Sequence, residues 1–156
     1  MSISEREKTA VRLFASGANC AQAVLMTYAD VAGLTKEQAA RVSCGLGGGI
    51  GRLRDNCGAF SAAVMLCASL EGEDGAKKEH RPQTYARVQR VYREFIAKNS
   101  SICCAELLGR EKKPESPAPD ARTKSYYQGR PCARIIRMTC KIIDEMMAEQ
   151  SAGQEE

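Results

Sequence analysis

Apolar positions recur along most of this chain at steps of three and four, the period of an α-helix, and no segment alternates as a strand does. Residues 4–16 form the first such segment, with Ser4 and Glu7 placed as a capping box and Gly17 as a C′ glycine. Asn19 reads as the N-cap of a second helix ending near Gly33, with Cys20, Val24, Tyr28 and Val31 at helical spacing. Thr35 and Gln38 make another capping box, for a helix reaching about Cys44. The run Gly45-Leu46-Gly47-Gly48-Gly49-Ile50-Gly51 then breaks the periodicity. From Cys57 to Leu70 the chain is uncharged on every side and rich in small residues, which predicts a buried central helix. Pro82 suits the first turn of a helix whose apolar face carries Tyr85, Val88, Tyr92 and Phe95. A short helix over 102–108 stops at Gly109. About twenty residues with Pro114, Pro117 and Pro119 follow, a loop long enough to be functional or disordered. The last helix starts at Pro131 and carries Ile135, Ile136, Cys140, Ile143 and Met147 on one face. The expected fold is an all-α, single-domain bundle of five to six helices over residues 1–150, with 151–156 a frayed polar tail.

Charge and composition narrow the classes. The net charge is +4, with five Tyr, three Phe and no Trp, which argues against a base-stacking nucleic-acid binder. The longest uncharged stretch, Asn56 to Leu70, is too short for a membrane span, and the first residues carry no apolar signal core, so a cytoplasmic protein is expected. Cysteine changes the picture most. Eight in 156 residues is high for a reducing compartment, where thiols are metal-binding, catalytic or inert core residues.

The cysteines sort by position. Cys20, Cys57, the pair Cys103 and Cys104, and Cys132 all fall in predicted first turns. There the free N–H groups and the positive end of the helix dipole favour a thiolate. Cys44, Cys67 and Cys140 fall late in or within helices and read as core. Four convergent thiolates suit an iron–sulfur cluster or zinc, and two at close range a dithiol–disulfide couple. No Cys-x-x-Cys is present, which removes the zinc-ribbon and thioredoxin motifs, and no Cys-x-x-Cys-His, which removes covalent c-type haem.

Five blocks in order resemble the C_GCAxxG_C_C family of redox-active proteins, a domain related to one in split-Soret cytochromes. They are Asn19 to Leu25, Gly45 to Gly51, Cys57-Gly58-Ala59-Phe60-Ser61-Ala62, Ser101 to Gly109, and Cys132. The resemblance covers about residues 8–147 and implies a redox role through four characteristic cysteines, with an iron–sulfur site as its expected form. Carried over position by position, these are Cys20, Cys57, Cys104 and Cys132. Ala62 departs from the family pattern, standing where the element's last glycine would be, and Cys103 stands where such proteins usually carry a polar residue.

The expectation is therefore an iron–sulfur electron-transfer protein with metal ligands Cys20, Cys57, Cys104 and Cys132. The alternatives are a thiol–disulfide oxidoreductase with Cys57 as attacking thiolate, and a structural zinc site. The glycine run matches no phosphate-binding fingerprint. It reads as a turn passing close to the buried helix, or as a nest in which Gly47, Gly48 and Gly49 donate N–H groups to thiolates. Arg52 and Arg54 read as a solvated charged turn, or as positive potential beside Cys57. The basic stretch 110–137 reads as a solvated loop, or as a docking face for an acidic redox partner. Part of the last helix's apolar face could serve a homodimer. His80 reads as a surface residue, and Asp144-Glu145 as a charged helix face.

Overall fold

A computed structural model describes residues 3–154 of the chain. Among these, eight α-helices form an all-α fold: α1 (Ile3–Ala15), α2 (Cys20–Thr27), α3 (Lys36–Ser43), α4 (Gly58–Ser69), α5 (Arg81–Asn99), α6 (Cys104–Leu108), α7 (Lys124–Gln128) and α8 (Cys132–Gly153). The count exceeds the expected five to six, and the one helix that lies outside every segment read as helical is α7. The predicted structureless loop 110–130 contains α7, and the predicted second helix stops at Thr27 and gives way to turns as far as Gly33.

Local sequence explains the starts of α2, α3 and α7, each capped by a side chain. Asn19 accepts from the Gln22 N–H (2.9 Å) while Gln22 reaches back to the Asn19 N–H (3.1 Å). Thr35 and Gln38 close the same reciprocal box on α3. The first helix already begins at Ile3, so Ser4 lies inside its first turn and not at its cap. At the other end α8 continues through Gly153, so residues 151–153 of the expected frayed tail are helical and exposed, and residues 155–156 lie outside the described ones.

The core lies between α1, α2, α4, α5 and α8. Phe14, Leu25, Tyr28, Leu66, Phe95, Ile136, Ile142 and Ile143 are its largest fully buried side chains. α4 is the central element, packed on α2, α5 and α8. Its approach to α2 depends on Gly58, where a Cβ would stand 2.9 Å from the Leu46 carbonyl oxygen and 3.0 Å from the Ala21 nitrogen. Ala62, the departure from the family pattern, is fully buried there. Burial of α4 is one-sided, since Met65 is exposed. On α5 the inward face is Val88, Val91 and Phe95, with Tyr85 and Tyr92 exposed. Both sets keep helical steps of three and four, and the one through Val91 is the one turned to the core. On α8 the apolar face packs inside the chain, with Ile135, Ile136 and Ile143 buried and Met147 partly so. No described helix is long and apolar enough to cross a membrane.

Asp144 departs from its expected place on a charged surface. It is buried, 2.9 Å from the Tyr28 hydroxyl and 4.0 Å from the Arg6 guanidinium.

Candidate functional site: a cysteine-walled cavity

The glycine run is not helical. Gly48, Gly49, Ile50, Gly51, Arg52 and Arg54 all have φ between 56° and 66°, in the left-handed region. For a β-branched residue such as Ile50 that conformation is rare and costly, and such runs cluster at functional sites. Gly49 allows the closest approach, because a Cβ there would stand 2.5 Å from the Cys104 Cβ and 2.9 Å from the Asp55 nitrogen. The reading of this segment as a tight turn is thus realised, although it presses on Cys104 as well as on the start of α4. The Gly47 N–H donates to the Cys44 carbonyl, so it serves the turn and not a thiolate.

The turn delivers residues 54–57 alongside 102–105 in a short antiparallel pairing centred on Asn56 and Cys103. The Cys57 N–H donates to the Ile102 carbonyl (2.7 Å), the Cys104 N–H to Asp55 (2.7 Å) and the Ala105 N–H to Arg54 (3.2 Å). Cys57 therefore caps α4, and Cys104 opens α6 across the same bridge. Cys20 opens α2 and Cys132 opens α8.

These four helix starts surround one cavity of about 540 Å3, walled by Cys20, Cys57, Cys104 and Cys132. Cys20 and Cys132 act more strongly on each other than on the other two thiols, and both lie within electrostatic reach of Cys57 and Cys104. Gly47, Gly48, Gly49 and Cys44 complete the wall on one side, and Pro117, Pro119 and Tyr126 on the other. Among the described residues, no three His, Cys, Asp or Glu side chains already stand at metal-holding distance of one point. Cys67 and Cys140 are core residues, as expected, but Cys44 is exposed at the cavity wall. The α3 helix ends before it, at Ser43, so Cys44 starts a 3-10 turn facing outward. Cys103 is half-buried with its Sγ 3.4 Å from the Arg54 carbonyl oxygen. His80 lies beside Glu71 (3.5 Å), outside the cavity wall.

Helix starts do not by themselves make these thiols acidic. Burial pushes Cys57 up to about 12, against the pull of the Phe60 and Ala59 N–H groups. Burial also raises Cys104, while the Arg54 guanidinium draws it back down. Cys20 is raised first by its neighbour Cys132. Cys132 is lowered by Cys20 and, against its burial, by Arg130, Arg54 and Arg122. Of the four, Cys132 is thus the one drawn toward its thiolate, and Cys57 is not. A coordinated cation reverses the penalty at the others by binding their thiolates directly.

The arginines are structural parts of the wall. Arg54, read as solvated, has a side chain only 2% exposed. Its Nε donates to Glu115 (2.5 Å) and its Nη1 to the Cys104 Sγ (3.5 Å). Arg52 donates to the Ser116 carbonyl and to Glu115 and Asp120, and Arg130 donates to Asp120 (2.6 Å). Loop 110–130 is thereby fastened to the glycine turn. Arg122 donates to the Phe14 and Ala18 carbonyls and, like Arg130, lies over the Tyr126 ring. Four guanidinium groups at the wall thus face two carboxylates, a net of about +2. The residues missed from sequence are these loop contributors, Glu115, Asp120, Arg122, Tyr126 and Arg130. The one signal for them was a proline-bearing loop too long for a plain connection. Much of the basic charge of that loop is answered locally, since Lys112 pairs with Asp55 and Lys113 with Glu111.

Fold and site together define a small all-helical protein whose helix starts carry cysteines into a common cavity. The family model described as "Putative redox-active protein (C_GCAxxG_C_C)" matches residues 18–146, and the chain belongs to that family. No curated protein and no solved structure matches it.

Proposed function

We propose that Cys20, Cys57, Cys104 and Cys132 bind an iron–sulfur cluster and that the protein transfers single electrons. The observation that carries this is the convergence of four thiols, from four separate helix starts, on one cavity. The donor set fits the group: four soft sulfurs with no competing histidine at the wall. The wall charge also fits, because a net of about +2 offsets part of the charge of four thiolates. A single tetrahedral zinc needs its sulfurs about 2.3 Å from one point. The cavity lined by the four thiols, about 540 Å3, has room for a group of several atoms.

When bound, such a cluster supplies reversible one-electron transfer. The chain's own residues do the rest. The helix starts and the Asn56–Cys103 bridge hold the sulfurs, the α7 loop and Tyr126 keep water from one side, and the arginines supply counter-charge. A redox partner protein is implied, since nothing in the cavity reduces a substrate by itself. Anaerobically purified or reconstituted protein should be coloured and hold iron and acid-labile sulfide in equal amounts, with Cys→Ser at any of the four lowering both. Protein that stays colourless and iron-free after reconstitution would overturn the reading.

A second reading is favoured by the proximity of Cys20 and Cys132, which share the cavity wall and act most strongly on each other. In a thiol–disulfide oxidoreductase these two thiols would reduce a partner disulfide, losing two electrons and two protons as they join. Cys132 would attack in place of Cys57, which lies buried at the α4 cap. Mass spectrometry of oxidised protein should then find a Cys20–Cys132 bond.

A further inference from the structure

Arg54 is held more firmly than a charged turn residue needs to be. Its backbone takes a left-handed φ of 58°, at the end of a segment in which Ile50 and Arg52 do the same. Its N–H donates to the Gly48 carbonyl (3.3 Å), and its own carbonyl accepts from Ala105 (3.2 Å) and faces the Cys103 Sγ (3.4 Å). The side chain is 2% exposed and divided between two partners: Glu115 takes Nε and Nη2, and the Cys104 Sγ takes Nη1. A guanidinium keeps its charge at any working pH, and its planar fork allows both contacts at once. Backbone strain of this kind persists only where the surroundings over-determine it, and here it aims one buried cation at one sulfur of the cavity.

We infer that Arg54 is the positioning residue that sets the reduction potential of the group held by the four cysteines, with Glu115 as the opposing charge that moderates it. This rests on the cluster reading above. A donor and a positive charge on a ligand sulfur stabilise the reduced, more negative state and so raise the potential. Glu115 lies against the far side of the same guanidinium and offsets part of its charge. Removing either partner therefore shifts the potential in opposite directions, which a purely structural pair would not do.

The test is a redox titration of the reconstituted protein, followed optically, with iron and sulfide assayed on the same samples. Arg54→Gln is expected to lower the equilibrium constant for one-electron reduction about tenfold, ~59 mV downward. Arg54→Lys, which keeps the charge but not the fork, should recover at least half of that shift. Glu115→Gln should move the potential upward by a few-fold in the same constant. If Arg54→Gln fails to retain iron, Glu115→Gln decides alone: an upward shift supports the inference, and no shift or a downward one overturns it. Wild-type protein that binds no iron or sulfide defeats the cluster reading and this inference with it. Iron-loaded variants with unmoved potentials defeat the inference and leave the cluster reading standing.

Discussion

At the scale of single residues, burial outweighs the pull of the helix-start N–H groups at Cys57 and of the Arg54 guanidinium at Cys104. Their value as ligands then lies in position, not in standing acidity. Position depends on small neighbours. Gly49→Ala would force a Cβ to within 2.5 Å of Cys104 at a φ of 66°, with backbone on the other side leaving no room to yield. It is expected to destabilise the fold by about 2–4 kcal/mol, read from urea denaturation. A variant of unchanged stability would show that the turn has slack. Cys44 makes the complementary case. It lies at the cavity wall but is exposed and outside the four helix starts, so Cys44→Ser should leave bound iron unchanged, while Cys104→Ser should lose most of it. Equal losses from the two variants would mean that the ligand set is drawn wrongly. Helix-start chemistry is local, so a cap, a break and a cysteine standing next to each other in sequence singled out Cys20, Cys57, Cys103, Cys104 and Cys132, and the family resemblance preferred Cys104 to Cys103; of these, Cys20, Cys57, Cys104 and Cys132 line the cavity. The exposure of Cys44 was not legible, because it turns on one residue's difference in where α3 ends.

At the scale of elements, the same division holds. The Asn19 cap, the Thr35–Gln38 box and the Gly109 stop were readable, since each involves neighbouring residues, whereas the box expected at Ser4 and the stop expected at Gly33 are not realised. The fastening of loop 110–130 was not readable, since Arg52 and Arg54 meet Glu115 and Asp120 across more than sixty positions of chain. Nor were the left-handed angles at Ile50, Arg52 and Arg54, which local propensity disfavours and tertiary contacts impose. This fastening has a measurable consequence. Asp120 receives Arg130 at 2.6 Å and Arg52 at 3.3 Å, with Arg110 at 3.9 Å, so it is the central tie of the loop. Asp120→Ala should raise the rate of limited proteolysis within residues 110–123 about tenfold, equivalent to ~1.4 kcal/mol of local stability, with the helical signal intact. Cleavage no faster than in the wild type would mean that the α7 aromatics alone hold the segment. Raising the salt concentration should act in the same direction on the wild type, because these pairs are only partly buried.

At the scale of the whole molecule, the pairing of α1, α2 and α8 is completed by a polar network inside the core. The Tyr28 hydroxyl lies 2.9 Å from both the Cys140 carbonyl oxygen and Asp144 Oδ1, yet a phenol has one proton to donate. The carbonyl can only accept, so both contacts are satisfied together when Asp144 carries a proton and donates it to the phenol oxygen. Burial raises Asp144 to about 6, against the pull of the Tyr28 hydrogen bond and of Arg6, with Glu7 adding to the rise. In the unfolded chain an aspartate titrates near ~3.9. Between these values the folded state holds the extra proton, so this group's contribution to stability is full below about pH 4 and is lost as pH rises through about 6. Other carboxylates act with the opposite sign: Asp30, beside Arg6, and Glu115, beside Arg54, are held below their usual range and favour the fold as pH rises. The bare pH profile therefore mixes both, and the difference between wild type and Asp144→Asn isolates the one. Urea unfolding at intervals from pH 4 to pH 7 should show the wild type losing about 2 kcal/mol relative to Asp144→Asn across that span, with no further change above. A flat difference would mean that Asp144 is ionised in the core and that the Arg6 guanidinium, 4.0 Å away, holds the charge there.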